Sequence, residues 1–184
     1  MIESNSKTGT KILCIMLFLV VLLAVIRPLS LNIVKGSSMF PSLKENDLLI
    51  AYRFRKAKVG DIATFKPHKD WDTGNRILVK RIIAKGGDTV SIKKDNLYIN
   101  NILLINSLNE TYDVPIPEIN FTIKEGYYLM MGDNYEHSKD SIYFLLDNQF
   151  ENNFLVNRDS IIGTTNGGVS EVEEIKKYVE TYNQ

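Results

Sequence analysis

The most constraining feature of this chain is an uncharged apolar run from Ile12 to Ile26, without Gly or Pro, bounded by Lys11 and by Arg27-Pro28. A helix built from it is apolar on every face, which rules out a half-buried surface helix. No later apolar segment of similar length is present to cover it. A helix of that length reaches about 22 Å, short of a hydrocarbon core of about 30 Å. Leu29 to Val34 can extend the apolar path and Arg27 can snorkel, so the run predicts an uncleaved transmembrane signal-anchor. A cleaved secretory signal needs small residues three and one positions before the cut, and Ala24 with Ile26 does not make that pair. Lys7 and Lys11 before the run and Arg27 and Lys35 after it leave the orientation open on charge alone. The expected organisation is a short segment over 1–11, an anchor over 12–30 and a folded domain over 31–184.

The 184 residues suffice for one domain with a real core. Twenty-two basic residues balance 22 acidic ones, which argues against a nucleic-acid binder and its basic face. Lys7, Lys11 and Arg27 against Glu3 leave the first 27 residues two charges positive and the rest two negative. Cys14 is the single cysteine, so neither an intrachain disulfide nor a cysteine zinc site is possible. His68 and His137 stand apart, and no metal or cofactor is expected.

After the anchor the sequence reads as strands. Runs over 31–35, 47–52, 61–65 and 77–84 are rich in Ile, Val, Leu, Phe and Tyr. Residues 88–93 alternate, with Val90 and Ile92 on one side. The run over 97–104 is broken by Asn100-Asn101, a pair that tolerates positive φ and suits a hairpin turn. Segments over 121–123, 127–131 and 160–165 complete the set. Short strands with no helix between them predict a mostly β domain of coiled antiparallel sheets. Ser170 and Glu173 have capping-box spacing, and Val172, Ile175, Val179 and Tyr182 recur at helical intervals, so a short C-terminal helix is expected.

Two segments carry candidate chemistry. On a strand Lys80 shares its face with Leu78 and Ile82, while Val79 and Arg81 point the other way. An apolar face buries the lysine and lowers its pKa, and a neutral amine can take a proton from a serine. An edge-strand lysine guarding against aggregation fits the same alternation. Ser38 lies in a Gly36-Ser37-Ser38-Met39 turn ahead of Pro41, where Gly36 permits an unusual dihedral and Pro41 stiffens the chain after the turn. An ordinary loop fits those residues equally. His137, next to Ser138, is read as a loop residue, because sequence neighbours rarely aim at each other. Trp71 is read as a loop aromatic, with contact at a membrane interface as the alternative.

Taken together, the segments resemble a known pattern. Gly36 to Leu43, Gly-Ser-Ser-Met-Phe-Pro-Ser-Leu, resembles the nucleophile box of type I signal peptidases, usually Gly-X-Ser-Met-X-Pro-Thr-Leu. Val79-Lys80-Arg81-Ile82-Ile83 followed by Gly86-Gly87-Asp88 is similar to that family's lysine box. Gly60-Asp61-Ile62 through Phe65-Lys66-Pro67 resembles the box between them. Gly132-Asp133-Asn134 with Ser138, Asp140 and Ser141 resembles the last. All four stand in family order behind an apolar segment.

The resemblance implies a Gram-positive-like enzyme with a Ser-Lys dyad and no cofactor. Ser38 would be the nucleophile, its backbone N–H an oxyanion donor, and Lys80 the general base. Ser138 would orient that lysine, Asp133 and Asp140 would brace the site, and Arg81 would be an ion-pair partner. Gram-negative members carry a serine where Gly36 stands, so the second oxyanion donor is unassigned. Tyr135 and Ile142 replace arginines usual in the last box, which removes the expected partner of Asp140. The implied substrates are secretory preproteins with small residues at −1 and −3, bound as an added strand close to a lipid bilayer. The implied location is a cell membrane, with the start of the chain cytoplasmic and the catalytic domain outside. A membrane-tethered chaperone or assembly factor on the same fold, binding without cutting, is the competing function. A self-cleaving repressor with a related dyad would need a DNA-binding domain that this chain lacks.

Overall fold

After its first helix the chain folds into two antiparallel sheets that share one core. The structure, a computed structural model, describes residues 3–71, 74, 76–112, 116–147, 153–168 and 170–184. Helix α1 spans Glu3–Ile26. The strands are β1 Leu29–Ile33, β2 Leu48–Tyr52, β3 Ile62–Phe65, β4 Leu78–Lys85, β5 Thr89–Lys93, β6 Asn96–Ile99, β7 Ile102–Ile105, β8 Ile119–Thr122, β9 Tyr127–Met131, β10 Val156–Asn157 and β11 Ile161–Thr165. Short helices α2 (Leu108–Thr111) and α3 (Ser141–Leu146) interrupt the second half, and α4 (Glu173–Tyr182) ends it. One sheet runs β1-β2-β11-β3-β4-β9-β10 and the other β7-β6-β5-β8.

The expected mostly β domain is present, but the expected spanning helix is not. No helix among the described residues is long and apolar enough to cross a membrane. The reason lies where α1 stops. Leu29 to Ile33, expected to extend the apolar path, are instead β1, paired with β2 in the register Leu31↔Ile50 and Ile33↔Leu48. The helix therefore ends at Ile26, and the apolar part of it is too short to span. Strand β1 begins at Leu29, inside the stretch 12–30 expected as the anchor. Residues 1 and 2 of the expected amino-terminal segment lie outside the described residues.

The hairpin between β6 and β7 turns through Asn100 and Asn101, both with positive φ of 50° and 65°, as their short polar side chains allow. Trp71, expected as an ordinary loop aromatic, instead closes a 3-10 turn and enters the core. It is buried between Phe65, edge-on at 5.9 Å, and Phe144, stacked at 4.6 Å, and its Nε1 donates to the Asn153 carbonyl at 2.7 Å. Asp72, beside it, lies outside the described residues. Helix α4 forms as expected, with Ile175 and Tyr178 buried, but its N-cap is Val172 and no side chain caps it. Ser170, expected in that role, spends its hydroxyl on Asp133 instead.

Both edges of β4 are paired, with β3 and β9 in the larger sheet, and its residues from Lys80 to Ala84 are buried on both faces. Its register sets Lys80 opposite Ala63 and Arg81 opposite both Ile62 and Met131. The centre of the molecule therefore holds two adjacent buried cations.

Candidate active site

The Ser38 turn follows β1 and is closed by local hydrogen bonds. Phe40 N–H donates to the Ser37 carbonyl and Leu43 N–H to the Met39 carbonyl, both at 2.9 Å. Gly36 adopts φ of +78°, a left-handed conformation that glycine enters without a Cβ clash. Met39 is buried among Val34, Leu49 and Ile62, which anchors the turn on the sheet. Asn134 clamps it from the opposite side. Its N–H donates to the Ser38 carbonyl and its Nδ2 to the Ser37 carbonyl, each at 3.1 Å.

Gly132 explains how these two loops approach so closely. A Cβ at that position would strike the Ser38 carbonyl and the Ser138 hydroxyl. The Gly-Asp-Asn spelling was visible in the sequence, but not that its glycine and asparagine both pack on the Ser38 turn.

Lys80 meets Ser38 from β4, with Nζ 2.5 Å from the serine Oγ. The lysine is buried, and that burial holds its pKa below the ordinary lysine value, against the opposing pull of the Asp140 and Asp133 carboxylates. A lysine shifted this way carries more neutral amine near neutral pH, and a neutral amine can accept the serine proton. Ser38 N–H makes no hydrogen bond among the described residues, so it remains available as a donor. No second donor is assigned, and Gly36 has open space where a Cβ would point.

Arg81 turns to the other face and is fully buried. Its Nε and Nη2 donate to the two oxygens of Asp133 at 2.8 and 2.7 Å, a bidentate pair. Nη1 donates to the carbonyls of Gly60 at 2.7 Å and Gly167 at 3.3 Å. The Ser42 hydroxyl donates to Asp133 Oδ2 as well, tying the end of the Ser38 turn to the ion pair.

Asp140, left without an arginine by Ile142, is satisfied by backbone. It accepts from the N–H groups of Gly132 at 2.9 Å, Ile142 at 3.0 Å and Tyr143 at 3.3 Å, and so caps α3. Ile142 itself is core. Burial raises the Asp140 pKa, while the Lys80 charge, the Gly132 amide, the Ser138 hydroxyl and the Tyr143 amide oppose that rise. Tyr135, at the other replaced arginine, packs its ring against the core. The expected lysine-orienting Ser138 is buried beside this carboxylate, yet its Oγ has no aligned hydrogen-bond partner among the described residues. His137 is exposed in a 3-10 turn.

Residues 7–168 match the family described as "Signal peptidase, peptidase S26". The chain belongs to this family. A probable signal peptidase I-2 from Synechocystis is 33% identical over 120 residues, covering 60% of this chain and 53% of that protein. Signal peptidase IB from Staphylococcus aureus is 32% identical over 152 residues, covering 71% of this chain and 72% of that one. The match thus spans about half the length of the first relative and more of the second. A crystal structure of a signal peptidase I from Enterococcus faecalis is 25% identical and covers 60% of this chain and 97% of that one. Its TM-score of 0.41 is too loose an overlap to carry structural detail across. Within the signal peptidase family, the two departures in the last box have local answers here: three amides for Asp140 and a core-packed ring for Tyr135.

Proposed function

We propose that this chain is a serine endopeptidase that removes signal peptides from secreted preproteins, with Ser38 as nucleophile and Lys80 as general base. The observation that carries this reading is the buried Lys80 Nζ 2.5 Å from Ser38 Oγ. In the acylation step Ser38 Oγ attacks the scissile carbonyl and its proton passes to the neutral Lys80 amine. The Ser38 N–H donates to the oxyanion that forms. The Lys80 ammonium then gives its proton to the departing amine, which leaves an acyl ester on Ser38. Lys80 next takes a proton from water as that water attacks the ester, and returns it to Ser38 Oγ as the ester breaks and the signal peptide leaves with a free carboxylate.

Family membership supports the substrate part of this proposal: an extended segment with small side chains at −1 and −3, laid as a strand beside the Ser38 turn and β4. The working place is a membrane surface, on the extracytoplasmic side. Exposed apolar residues support this. Leu31, Ile33, Leu48, Ile50 and Tyr52 share the outer face of the β1–β2 pair, Phe54 follows it, and the apolar residues of α1 are exposed too. Patches of this kind mark a lipid or protein contact.

Incubating the purified protein with a peptide that spans a signal-peptide junction, Ala at −1 and −3, tests the reading. Cleavage at that junction, lost in both Ser38→Ala and Lys80→Ala, is expected. Binding without cleavage would favour a chaperone or assembly factor, and cleavage that survives Ser38→Ala would end the dyad mechanism.

A further inference from the structure

The family match ends at residue 168, yet the next described residue reaches into the site. Ser170 is buried, and its Oγ donates to Asp133 Oδ2 at 3.1 Å. That oxygen also accepts from Arg81 Nη2 and Ser42 Oγ. One residue on, the Glu171 N–H donates to Ser42 Oγ at 3.3 Å. Two successive residues therefore grip both members of the Ser42–Asp133 contact. Ser42 closes the nucleophile turn, and Asp133 lies between Gly132 and Asn134, the residues that pack on and clamp it.

Helix α4, directly after Ser170, fixes that serine in place. The Tyr178 hydroxyl donates to the Ile83 carbonyl on β4 at 2.6 Å. The Tyr182 hydroxyl donates to both oxygens of Asp88 at 2.8 and 3.0 Å. Ile175 is fully buried, and Val179 fills the space against Gly60 that a side chain there would need. The helix is thus registered on the same strand that carries Lys80 and Arg81. A capping role would have spent the Ser170 hydroxyl on α4 itself. Instead it accepts the Val172 N–H at 3.2 Å and donates its proton to Asp133.

We infer that residues 170–184 form a clasp on the back of the site and that Ser170 is a positioning residue, acting through Asp133 and Ser42 to hold the nucleophile turn in register with Lys80. Ser170 does not touch substrate, so its loss affects the chemical step more than binding. The kinetic arm of the test rests on the peptidase reading, and the exchange arm does not.

Ser170→Ala and Ser170→Thr are compared with wild type by steady-state cleavage of the junction peptide and by amide hydrogen exchange followed by mass spectrometry. In Ser170→Ala, kcat falls about tenfold with KM within about twofold, the loss of one hydrogen bond to a buried carboxylate. Exchange speeds up in the segment from Ser37 to Leu43 while β4 and β5 stay protected. Ser170→Thr, which keeps a hydroxyl, restores both readouts. Unchanged exchange across residues 37–43 in Ser170→Ala overturns the clasp. So does faster exchange everywhere, which would make the residue one of global stability. A wild type that cleaves nothing while exchange responds locally would remove the peptidase reading and leave the clasp standing.

Discussion

Lys80 and Arg81 are neighbours on one strand, both buried, and the site treats them in opposite ways. Arg81 meets a carboxylate in bidentate contact, with two carbonyls accepting from its Nη1. A charge answered this way suits a structural brace. Among the described residues Lys80 makes no ion pair with a carboxylate. Its nearest partner is a serine hydroxyl, and the two carboxylates that favour its charge act from farther off. Burial then wins, and the amine loses its proton more readily than a lysine in water. The same burial makes a brace of one cation and a candidate base of the other, and carboxylate placement decides which.

The largest effect that breaks this contrast is on the lysine side. Ser38→Ala, Lys80→Ala and Lys80→Arg should each lower kcat/KM for the junction peptide by about 10⁴-fold or more, the arginine variant because a guanidinium cannot act as a neutral base. Peptide cleavage followed by chromatography checks this. A Lys80→Arg variant with substantial activity would make the two cations interchangeable.

On the arginine side the loss should appear as stability. Asp133→Asn removes the charge that answers Arg81, and breaking one partner of a buried pair costs about 3–5 kcal/mol. Denaturant unfolding measures it, and a loss below about 1 kcal/mol would show that Arg81 and Asp133 are not a brace.

A smaller change sharpens the role of Asp140. Its carboxylate favours the Lys80 ammonium, so Asp140→Asn lowers the lysine pKa further and moves the ascending limb of kcat/KM to lower pH. A limb that moves up would mean Asp140 does not act on Lys80 through its charge.

The smallest effect is on stability against pH. Between the lowered folded pKa of Lys80 and about 10.4, the unfolded chain binds a proton that the folded one does not, so unfolding free energy rises with pH across that window. Lys80→Met should flatten that rise, read by denaturant melts at several pH values.

How much of this was legible differs by kind of interaction. Strand alternation and the Asn100-Asn101 turn are local, and they set out the order of the strands. The face shared by Leu78, Lys80 and Ile82 was local too. What failed was non-local. Leu29 to Val34 were expected to extend the apolar path past Arg27-Pro28, but Leu29 to Ile33 found a pairing partner in β2 and left α1 short. Trp71 looked like a loop residue because the ring that stacks on it, Phe144, lies far along the chain. Ser170 looked like a helix cap because its true partner, Asp133, is 37 residues away. The missing arginine at Ile142 looked like a lost brace because backbone amides have no spelling in sequence.

The pH dependence of kcat/KM for junction-peptide cleavage by the wild-type protein bears most directly on Lys80 as the base. A buried Lys80 base gives an ascending limb whose midpoint lies clearly below the ordinary lysine value of about 10.4 and which persists in His137→Gln. A limb at about 10.4, or one that disappears with His137, would contradict a buried Lys80 as the base for Ser38.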